Sequence, residues 1–301
     1  MASSRGDRDG AEPIALIGAP FHLGHRGLGM GAGPLRLLDD GAVPAELAAT
    51  GVEADLDWLA DPSEPGDEIG RVFELNRRLA GAVAEALAAG RLPVIVAGNC
   101  SVCLGAVAGA AVERLGILWL DAHPDFHTPE TTESGFLDGT GLAAATGACW
   151  RALCESIPGF APVPEERVVL AGVRDIDGGE ADRLARGEVT VIEGGGGPGS
   201  FAAPALERAL DVLCERAEGL YVHVDLDVID PSFGSANEYA APGGLSPDEV
   251  RATIAAAAER APVRAISFTA YDPSGDPEGR FAATAVELIC SSLTALHARA
   301  Q

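Results

Sequence analysis

Hydrophobic residues along the chain fall into short runs that alternate with longer stretches of mixed polar and apolar character. Each short run is rich in Val, Ile and Leu and is bounded by Gly, Pro or Asp, which is typical of a buried β-strand. The pattern predicts eight strands, at residues 13–20, 52–59, 92–99, 116–123, 167–173, 189–194, 220–228 and 263–271. Helical periodicity is clearest at residues 69–90, 101–114, 201–217, 246–260 and 281–299.

The alternation of strands and helices indicates the class of fold. Near-continuous apolar strands are buried on both faces, and intervening helices supply the crossovers that parallel strands need. The sequence therefore predicts an α/β protein with a mostly parallel, roughly eight-stranded sheet covered by helices on both faces. We find no internal repeat and no clear linker, so we expect residues 13–301 to form a single domain. Ligands of such sheets bind beyond the carboxyl ends of the strands.

The composition excludes some classes of function, and it leaves the predicted fold class unchanged. The 301 residues include 45 acidic and 21 basic side chains, which gives a formal net charge of -24, and there is no lysine. Nucleic-acid binding depends on Lys and Arg contacts with phosphates, so this charge disfavours a nucleic-acid partner and favours a cationic small-molecule substrate. The lack of lysine excludes a Schiff base on the protein and a P-loop lysine.

The sequence also carries expectations about location. No apolar run approaches the ~18–20 residues that span a bilayer, so we expect no membrane association. Residues 1–12 are polar and lack the apolar stretch of a signal peptide, and we expect them to form a disordered tail of a cytoplasmic protein. The six cysteines are unevenly spaced and do not indicate a disulfide framework.

Two predicted strand ends carry a high density of metal-type ligands. The first contains Asp121, His123 and Asp125, and the second contains Asp225 and Asp227. Alternate residues of an extended chain share a face, so we expect each set to project together. If the two strands are neighbours, four carboxylates and one imidazole converge, and one or two divalent cations would neutralise them. Oxygen ligands with a single imidazole suit a hard cation such as Mn²⁺.

These motifs resemble those of the arginase–agmatinase–formiminoglutamase family, the ureohydrolases. "DAHPD" corresponds to the family's Asp-Ala-His-x-Asp motif, and "HVDLDVIDP" corresponds to its Ser-x-Asp-x-Asp-x-x-Asp-Pro motif. The segments 16–38 and 172–180 are also similar to the family, in the expected order, so the resemblance covers nearly the whole chain after residue 13. It implies a three-layer α/β/α fold and a centre of two Mn²⁺ ions per chain. It also implies a hydrolysis in which metal-activated water attacks a guanidino carbon.

The resemblance implies a role for individual positions. The metal ligands would be Cys100, Asp121, His123, Asp125, Asp225 and Asp227, with Asp121 and Asp225 as bridges. Asp125 and Asp138 are the candidate catalytic residues. Family members that act on an α-amino acid bind its carboxylate at the positions of His127, where arginases have Asn, and Ser134. Asp177 and Glu180 match the positions that receive the α-amino group.

Four positions depart from the family pattern. Cys100 replaces a metal-ligating His, and Asp138 replaces a His that acts in proton transfer. Ala270 lies near the position of a Glu that pairs with the guanidinium, and Tyr239, a further candidate substrate contact, replaces a small Thr. We therefore expect Cys100 to weaken one metal site, and the site to discriminate less in favour of a fully cationic guanidinium.

These departures favour an atypical member of the family. The preferred hypothesis is hydrolysis of Nω-hydroxy-L-arginine or L-arginine to ornithine and hydroxyurea or urea. Two alternatives remain open, namely hydrolysis of another guanidino compound such as agmatine or a guanidino acid, and a degenerate protein that binds a metal or a partner without catalysis. A redox pair at Cys100 and Cys103 is a further alternative. The resemblance leaves open a homo-oligomer, since family members are often trimers or hexamers.

Overall fold

The computed structural model describes residues 13–39, 42–62, 66–110 and 112–299, so the expectation for residues 1–12 lies outside the described part. One sheet contains the strands β1 Ile14–Ala19, β2 Ala54–Trp58, β3 Leu92–Ala97, β4 Leu115–Leu120, β5 Val168–Val173, β6 Thr190–Glu193, β7 Gly219–Asp225 and β8 Val263–Thr269. Their order across the sheet is 2-1-3-8-7-4-5-6, and every neighbouring pair is parallel. The predicted α/β class and eight-stranded parallel sheet are confirmed.

Helices of different lengths connect the strands. They are α1 Ala42–Ala49, α2 Glu68–Ala88, α3 Cys103–Ala110, α4 Gly141–Ala145, α5 Arg151–Cys154, α6 Gly178–Leu184, α7 Ala203–Arg216, α8 Pro247–Arg260 and α9 Arg280–Arg299. The sequence pattern predicted α2, α3, α7, α8 and α9 but not α1, α4, α5 and α6, which have eight residues or fewer. A helix of one or two turns spans too few residues to show a 3.6-residue period.

The core consists of two hydrophobic clusters, one on each face of the sheet. Side chains alternate between the clusters along a strand, so that Val94 and Val96 of β3 join one cluster while Ile95 and Ala97 join the other. Helices α1, α7, α8 and α9 contribute to the first cluster, and α2, α3, α4 and α5 contribute to the second. The fold therefore has three layers, as the family resemblance implies.

Helix α9 tests the expectation about membranes. It is 20 residues long, and it is the one helix among the described residues that is long and apolar enough, by length and composition, to cross a bilayer. The statement that no segment of the sequence approaches this length is therefore wrong. Half of the apolar window is buried inside the fold, and α9 packs against α1 and α8, which is the behaviour of a core helix.

The central strands end earlier than their apolar patterns predict. Strand β3 ends at Ala97 rather than 99, β4 at Leu120 rather than 123, β7 at Asp225 rather than 228, and β8 at Thr269 rather than 271. The residues that follow these strands remain buried because the loops beyond them line the interior. Apolar residues continue between the polar ones in these buried loops, so hydrophobicity alone does not show where extended geometry stops.

A close approach of three chain segments fixes the loop after β3. A Cβ atom at Gly98 would overlap the carbonyl oxygen of Phe21 and lie 2.8 Å from the Cα of Gly31. We expect Gly98→Ala to lower the free energy of unfolding by about 1–3 kcal/mol, because backbone atoms cannot give way as a flexible side chain can. Urea-induced unfolding measures this loss.

Gly81 provides the matched control for this substitution. It lies in the exposed middle of α2, with no atom within 4 Å of an added Cβ. Gly81→Ala should leave stability unchanged or raise it by up to about 1 kcal/mol through the higher helix propensity of Ala. Equal effects of the two substitutions would show that the Gly98 contact does not constrain the fold.

Candidate metal centre

The four central strands bring the predicted ligands to one edge of the sheet. Strands β3, β8, β7 and β4 lie side by side, and each carboxyl end opens into a loop with polar side chains. Cys100 follows β3, Asp121 follows β4, and Asp225 is the last residue of β7. The condition that the two acidic strands are neighbours is met, because β4 and β7 pair in parallel.

Two groups of ligand atoms form at this edge. The first consists of Cys100, Asp121 and Asp125, and the second of Asp121, His123 and Asp227. Within each group the ligand atoms lie within 4.8 Å of one another. Asp121 belongs to both groups. Asp225 completes the cluster, since the Cys100 thiol donates a hydrogen bond to its Oδ2 at 2.9 Å.

The cluster forms by turns rather than by strand alternation. Residues 121–125 lie beyond β4, and Asp125 has a φ of 49°, in the left-handed region that Asp tolerates better than most residues. Asp227 lies in a one-turn 3₁₀ helix, where its amide donates to Asp225 Oδ1 at 2.8 Å. The expectation that these residues converge because they alternate along extended strands is therefore wrong in its geometry. Tight turns at the strand ends produce the convergence.

His123 compensates for the charge of one ligand group. Its Nδ1 lies 3.5 Å from Asp121 Oδ1 and 3.3 Å from Asp227 Oδ2. Although burial opposes the charged form, the hydrogen bonds with Asp121 and Asp227 raise the pKa of His123 to about 12. Despite its own burial, Asp227 has its pKa lowered to about 2 by the hydrogen bond with His123. The contact between His123 and Asp227 therefore stabilises the ionised form of Asp227 in the second ligand group.

Asp125, in the first ligand group, has no such partner at its Oδ2. Asp125 Oδ2 is buried and makes no hydrogen bond. Burial, together with the nearby charges of Asp121 and Asp138, raises the pKa of Asp125 well above its ordinary value. Burial raises the pKa of Asp121 to about 6. An unpaired buried carboxylate beside a second one is unfavourable unless a cation lies between them, so this donor set fits divalent metal ions.

Several neutral donors orient these carboxylates, and sequence reasoning missed them. The indole Nε1 of Trp119 donates to Asp121 Oδ2 at 2.8 Å. Asn237 Nδ2 donates to the carbonyl of Ala270 at 2.8 Å and lies 3.4 Å from Asp227 Oδ2. The position of Trp119 near the end of β4, two residues before Asp121, is a signal that pattern reading could have used. Asn237 has no comparable signal, because it reaches the site from a loop.

Asp138 is buried beside Cys100. Its carboxylate accepts hydrogen bonds from Asn99 Nδ2 at 2.6 Å, from the amide of Ser101 at 2.8 Å and from the amide of Cys100 at 3.1 Å. Burial nevertheless raises the pKa of Asp138 above its ordinary value. These contacts hold the turn that carries Cys100, in addition to any role of Asp138 in proton transfer.

A second polar cluster lies at the mouth of the site. His127 Nε2 lies 2.8 Å from Asp177 Oδ2 and 3.7 Å from Glu180 Oε2. Asp177 also caps α6, and Glu180 accepts a hydrogen bond from the amide of Phe126. Ser134, in contrast, lies at an exposed turn, where its Oγ accepts from the amide of Phe136 at 3.1 Å. Three of the four predicted contacts for an α-amino acid therefore form one group.

Aromatic rings line the opposite side of the mouth. Phe136 stacks against Tyr239 with ring centroids 5.8 Å apart, and His22 packs against the other side of Phe136 at 6.0 Å. Tyr239 is 46% exposed and is held through its amide, which donates to Asn237 Oδ1. Three loops contribute these rings, so their proximity depends on the fold.

The second cysteine of the Cys-x-x-Cys motif faces the core. Cys103 Sγ donates to the carbonyl of Gly141 at 3.4 Å, and burial raises the pKa of its thiol well above the ordinary value. A redox-active cysteine needs an exposed thiol with a lowered pKa. The redox alternative is therefore unsupported, and the contacts of Cys100 belong to the metal-type cluster.

Comparisons with known proteins agree with this arrangement. Residues 12–294 match the model of the Arginase family. The arginase of Bacillus caldovelox is 31% identical over 93% of this chain and 97% of its own length, and its crystal structure superposes with a TM-score of 0.80 over 93% of this chain and 98% of that one. An N(omega)-hydroxy-L-arginine amidinohydrolase of Streptomyces lavendulae is 33% identical over 67% of each chain.

Metal binding should reverse the effect of removing one carboxylate. After chelation we expect Asp125→Asn to raise the free energy of unfolding by about 1–3 kcal/mol, because it removes an unpaired buried charge. With saturating Mn²⁺ the order should reverse, because the variant lacks a ligand. Thermal unfolding with EDTA and with Mn²⁺ measures both effects.

The exposed Asp182 on α6 provides the control, and Asp182→Asn should change neither measurement. If Mn²⁺ stabilised Asp125→Asn as much as the unsubstituted protein, Asp125 would not be a ligand.

Proposed function

Because the chain belongs to the arginase family, we propose that it is a Mn²⁺-dependent amidinohydrolase of a guanidino α-amino acid, with Nω-hydroxy-L-arginine preferred over L-arginine. The products would be ornithine and hydroxyurea or urea. The single observation that carries this choice is that Ala270, with only a methyl side chain, follows β8 at the edge of the sheet that holds the metal-type ligands.

Six residues would hold the metal ions, namely Cys100, Asp121, His123, Asp125, Asp225 and Asp227. Two divalent cations, when bound, would supply an activated water and offset the negative charge of the pocket. Asp121, which belongs to both ligand groups, would be shared between them. The orphaned Oδ2 of Asp125 supports this assignment, since a cation is the partner that it lacks.

Ala270 makes the site less suited to a full guanidinium charge. It follows Thr269, which pairs in register with Asp225, and its carbonyl is linked through Asn237 to Asp227. The family has a Glu near this position, whereas here the strand end offers a carbonyl and a methyl group. A guanidinium without an anionic partner binds at a larger desolvation cost than a less basic N-hydroxyguanidine. The hydroxylated substrate therefore loses less affinity.

The remaining residues would orient the substrate. Asp177 and Glu180 would receive the α-amino group, with His127 and Ser134 on the side of the carboxylate. The stacked pair Phe136 and Tyr239 would confine the substrate at the mouth of the site. Asp138 lies beside Cys100 at the metal end and is the candidate for proton transfer to the leaving amine.

Substrate preference tests the role of Ala270. For the Mn²⁺-loaded protein we expect kcat/KM to be at least about tenfold higher for Nω-hydroxy-L-arginine than for L-arginine. Ala270→Glu should shift this ratio toward L-arginine by about tenfold or more, because it supplies the buried anion. Steady-state assays of ornithine release measure both ratios.

Ala270→Gln is the control, since it adds the same volume without charge and should not produce the shift toward L-arginine. Equal or faster turnover of L-arginine by the unsubstituted protein would contradict the substrate preference. A protein with two bound Mn²⁺ ions and no turnover of either compound would instead support the degenerate alternative.

The contact between His127 and Asp177 favours a second candidate. In this pair the His127 imidazole contacts the Asp177 carboxylate, which would otherwise bind an α-ammonium group. A guanidino acid without an α-amino group, such as 4-guanidinobutyrate, would leave the pair intact and place its own carboxylate near the imidazole. The same fold and metals would then act on a different substrate.

Replacement of His127 separates the two candidates. If the α-amino acid is the substrate, His127→Asn should lower its KM, because Asp177 becomes available to the ammonium group. If the guanidino acid is the substrate, the unsubstituted protein should turn over 4-guanidinobutyrate faster than Nω-hydroxy-L-arginine, and His127→Asn should raise the KM for 4-guanidinobutyrate by about tenfold. Assays of both compounds with both proteins measure these differences, and an unchanged KM for each compound would contradict both roles of His127.

A further inference from the structure

A continuous chain of hydrogen-bonding side chains lies beneath Cys100, inside the sheet. Cys100 Sγ lies 3.2 Å from Thr269 Oγ1, which lies 3.3 Å from His223 Nε2. On the other side of the ring, His223 Nδ1 lies 2.8 Å from the Tyr221 hydroxyl and 3.0 Å from Ser267 Oγ. The last two hydroxyls are 2.6 Å apart. All five side chains are buried.

Stacking holds the imidazole in this chain in one orientation. The indole of Trp119 lies parallel to the His223 ring, with centroids 3.6 Å apart and an angle of 11° between the planes. The same indole donates to Asp121. The ring of His223 therefore cannot rotate without disturbing Trp119, and its two nitrogens face fixed partners.

The surroundings of the Cys100 sulfur show why a donor matters there. Its carboxylate neighbours, Asp225, Asp121 and Asp125, can only accept hydrogen bonds when ionised. Among the described side chains in contact with the sulfur, Thr269 is the one with a hydroxyl to donate. A metal-bound thiolate is stabilised and oriented by such a donor, as other metal ligands are by their outer partners.

We propose that Thr269 and His223 are positioning residues for the Cys100 sulfur, an inference that rests on the proposed role of Cys100 as a metal ligand. Tyr221 donates to His223 Nδ1, and His223 Nε2–H donates to Thr269 Oγ1. In this order the single Thr269 hydroxyl proton goes to the sulfur at 3.2 Å rather than to the Val224 carbonyl at 3.4 Å. Each group in this order uses one donor and one acceptor. No polar atom within this series of hydrogen-bonded side chains is therefore left without a partner.

The sequence supports a link between Cys100 and His223 in this series of hydrogen-bonded side chains. Cys100 stands where the family has a histidine ligand, and His223 stands at the serine of the family's Ser-x-Asp-x-Asp motif. Both departures belong to one hydrogen-bonded unit, with Thr269 between them. A thiolate ligand accepts hydrogen bonds, and the Thr269 hydroxyl is placed to donate one.

Cobalt(II) binding tests the inference without relying on activity. Thiolate ligation produces a sulfur-to-metal charge-transfer band in the near ultraviolet, which reports on Cys100 directly. For the whole protein titrated with Co²⁺, we expect Thr269→Val to shift this band to lower energy and to weaken Co²⁺ binding by about tenfold or more. Thr269→Ser should restore both properties, because it keeps the hydroxyl.

Two further variants test whether the effect comes from packing and whether His223 acts through Thr269. Thr253→Val removes a buried hydroxyl that donates to a backbone carbonyl within α8, away from the site, and should leave the band and the affinity unchanged. His223→Asn should shift the band in the same direction as Thr269→Val. The double variant should bind Co²⁺ no more weakly than Thr269→Val alone, because His223 acts through Thr269.

The outcomes separate the two proposals. A band in the unsubstituted protein that disappears in Cys100→Ser, and that Thr269→Val leaves in place and unshifted, would overturn the positioning role while leaving the proposed function intact. Absence of the band in the unsubstituted protein would contradict ligation by Cys100, on which the positioning role depends. Independent effects of Thr269→Val and His223→Asn would show that the chain does not act as one unit.

Discussion

The concentration of buried carboxylates at the carboxyl edge of a parallel sheet is the constraint on which the rest of this structure depends. Asp121, Asp125, Asp225 and Asp227 lie within one cluster, and Asp121 is fully buried. Such a cluster is stable only where cations or directed hydrogen bonds offset the repulsion. The sheet provides this setting, because four adjacent strands end at the same level and their loops surround the charges.

The protein offsets this charge mostly with neutral donors. Trp119, Asn237 and Asn99 each donate to a carboxylate, and His123 lies between two of them. The nearby Arg174 donates instead to backbone carbonyls, including that of Asp227. Its guanidinium thus holds the loop without entering the pocket.

The departures from the family pattern are best understood as groups rather than as single losses. Cys100, Thr269 and His223 form one buried unit at the metal end. Ala270, Asn237 and Tyr239 form another at the guanidino end, linked through the Asn237 side chain. His127 and Asp177 pair at the mouth. A site that had merely decayed would leave many polar atoms without partners, whereas most of the polar side chains of these three groups are hydrogen-bonded or ion-paired.

The sequence by itself determined the class of fold, the family and the metal-type residues. Apolar runs of strand length report burial on both faces, and the two acidic motifs place their chemistry at strand ends. The sequence did not determine where the strands end, because the loops beyond Leu120 and Asp225 remain largely buried and continue to place apolar residues between the acidic ones. It also did not reveal Asn237 or the link from Thr269 to Cys100. These contacts join residues that are distant along the chain, so only the tertiary structure brings them together.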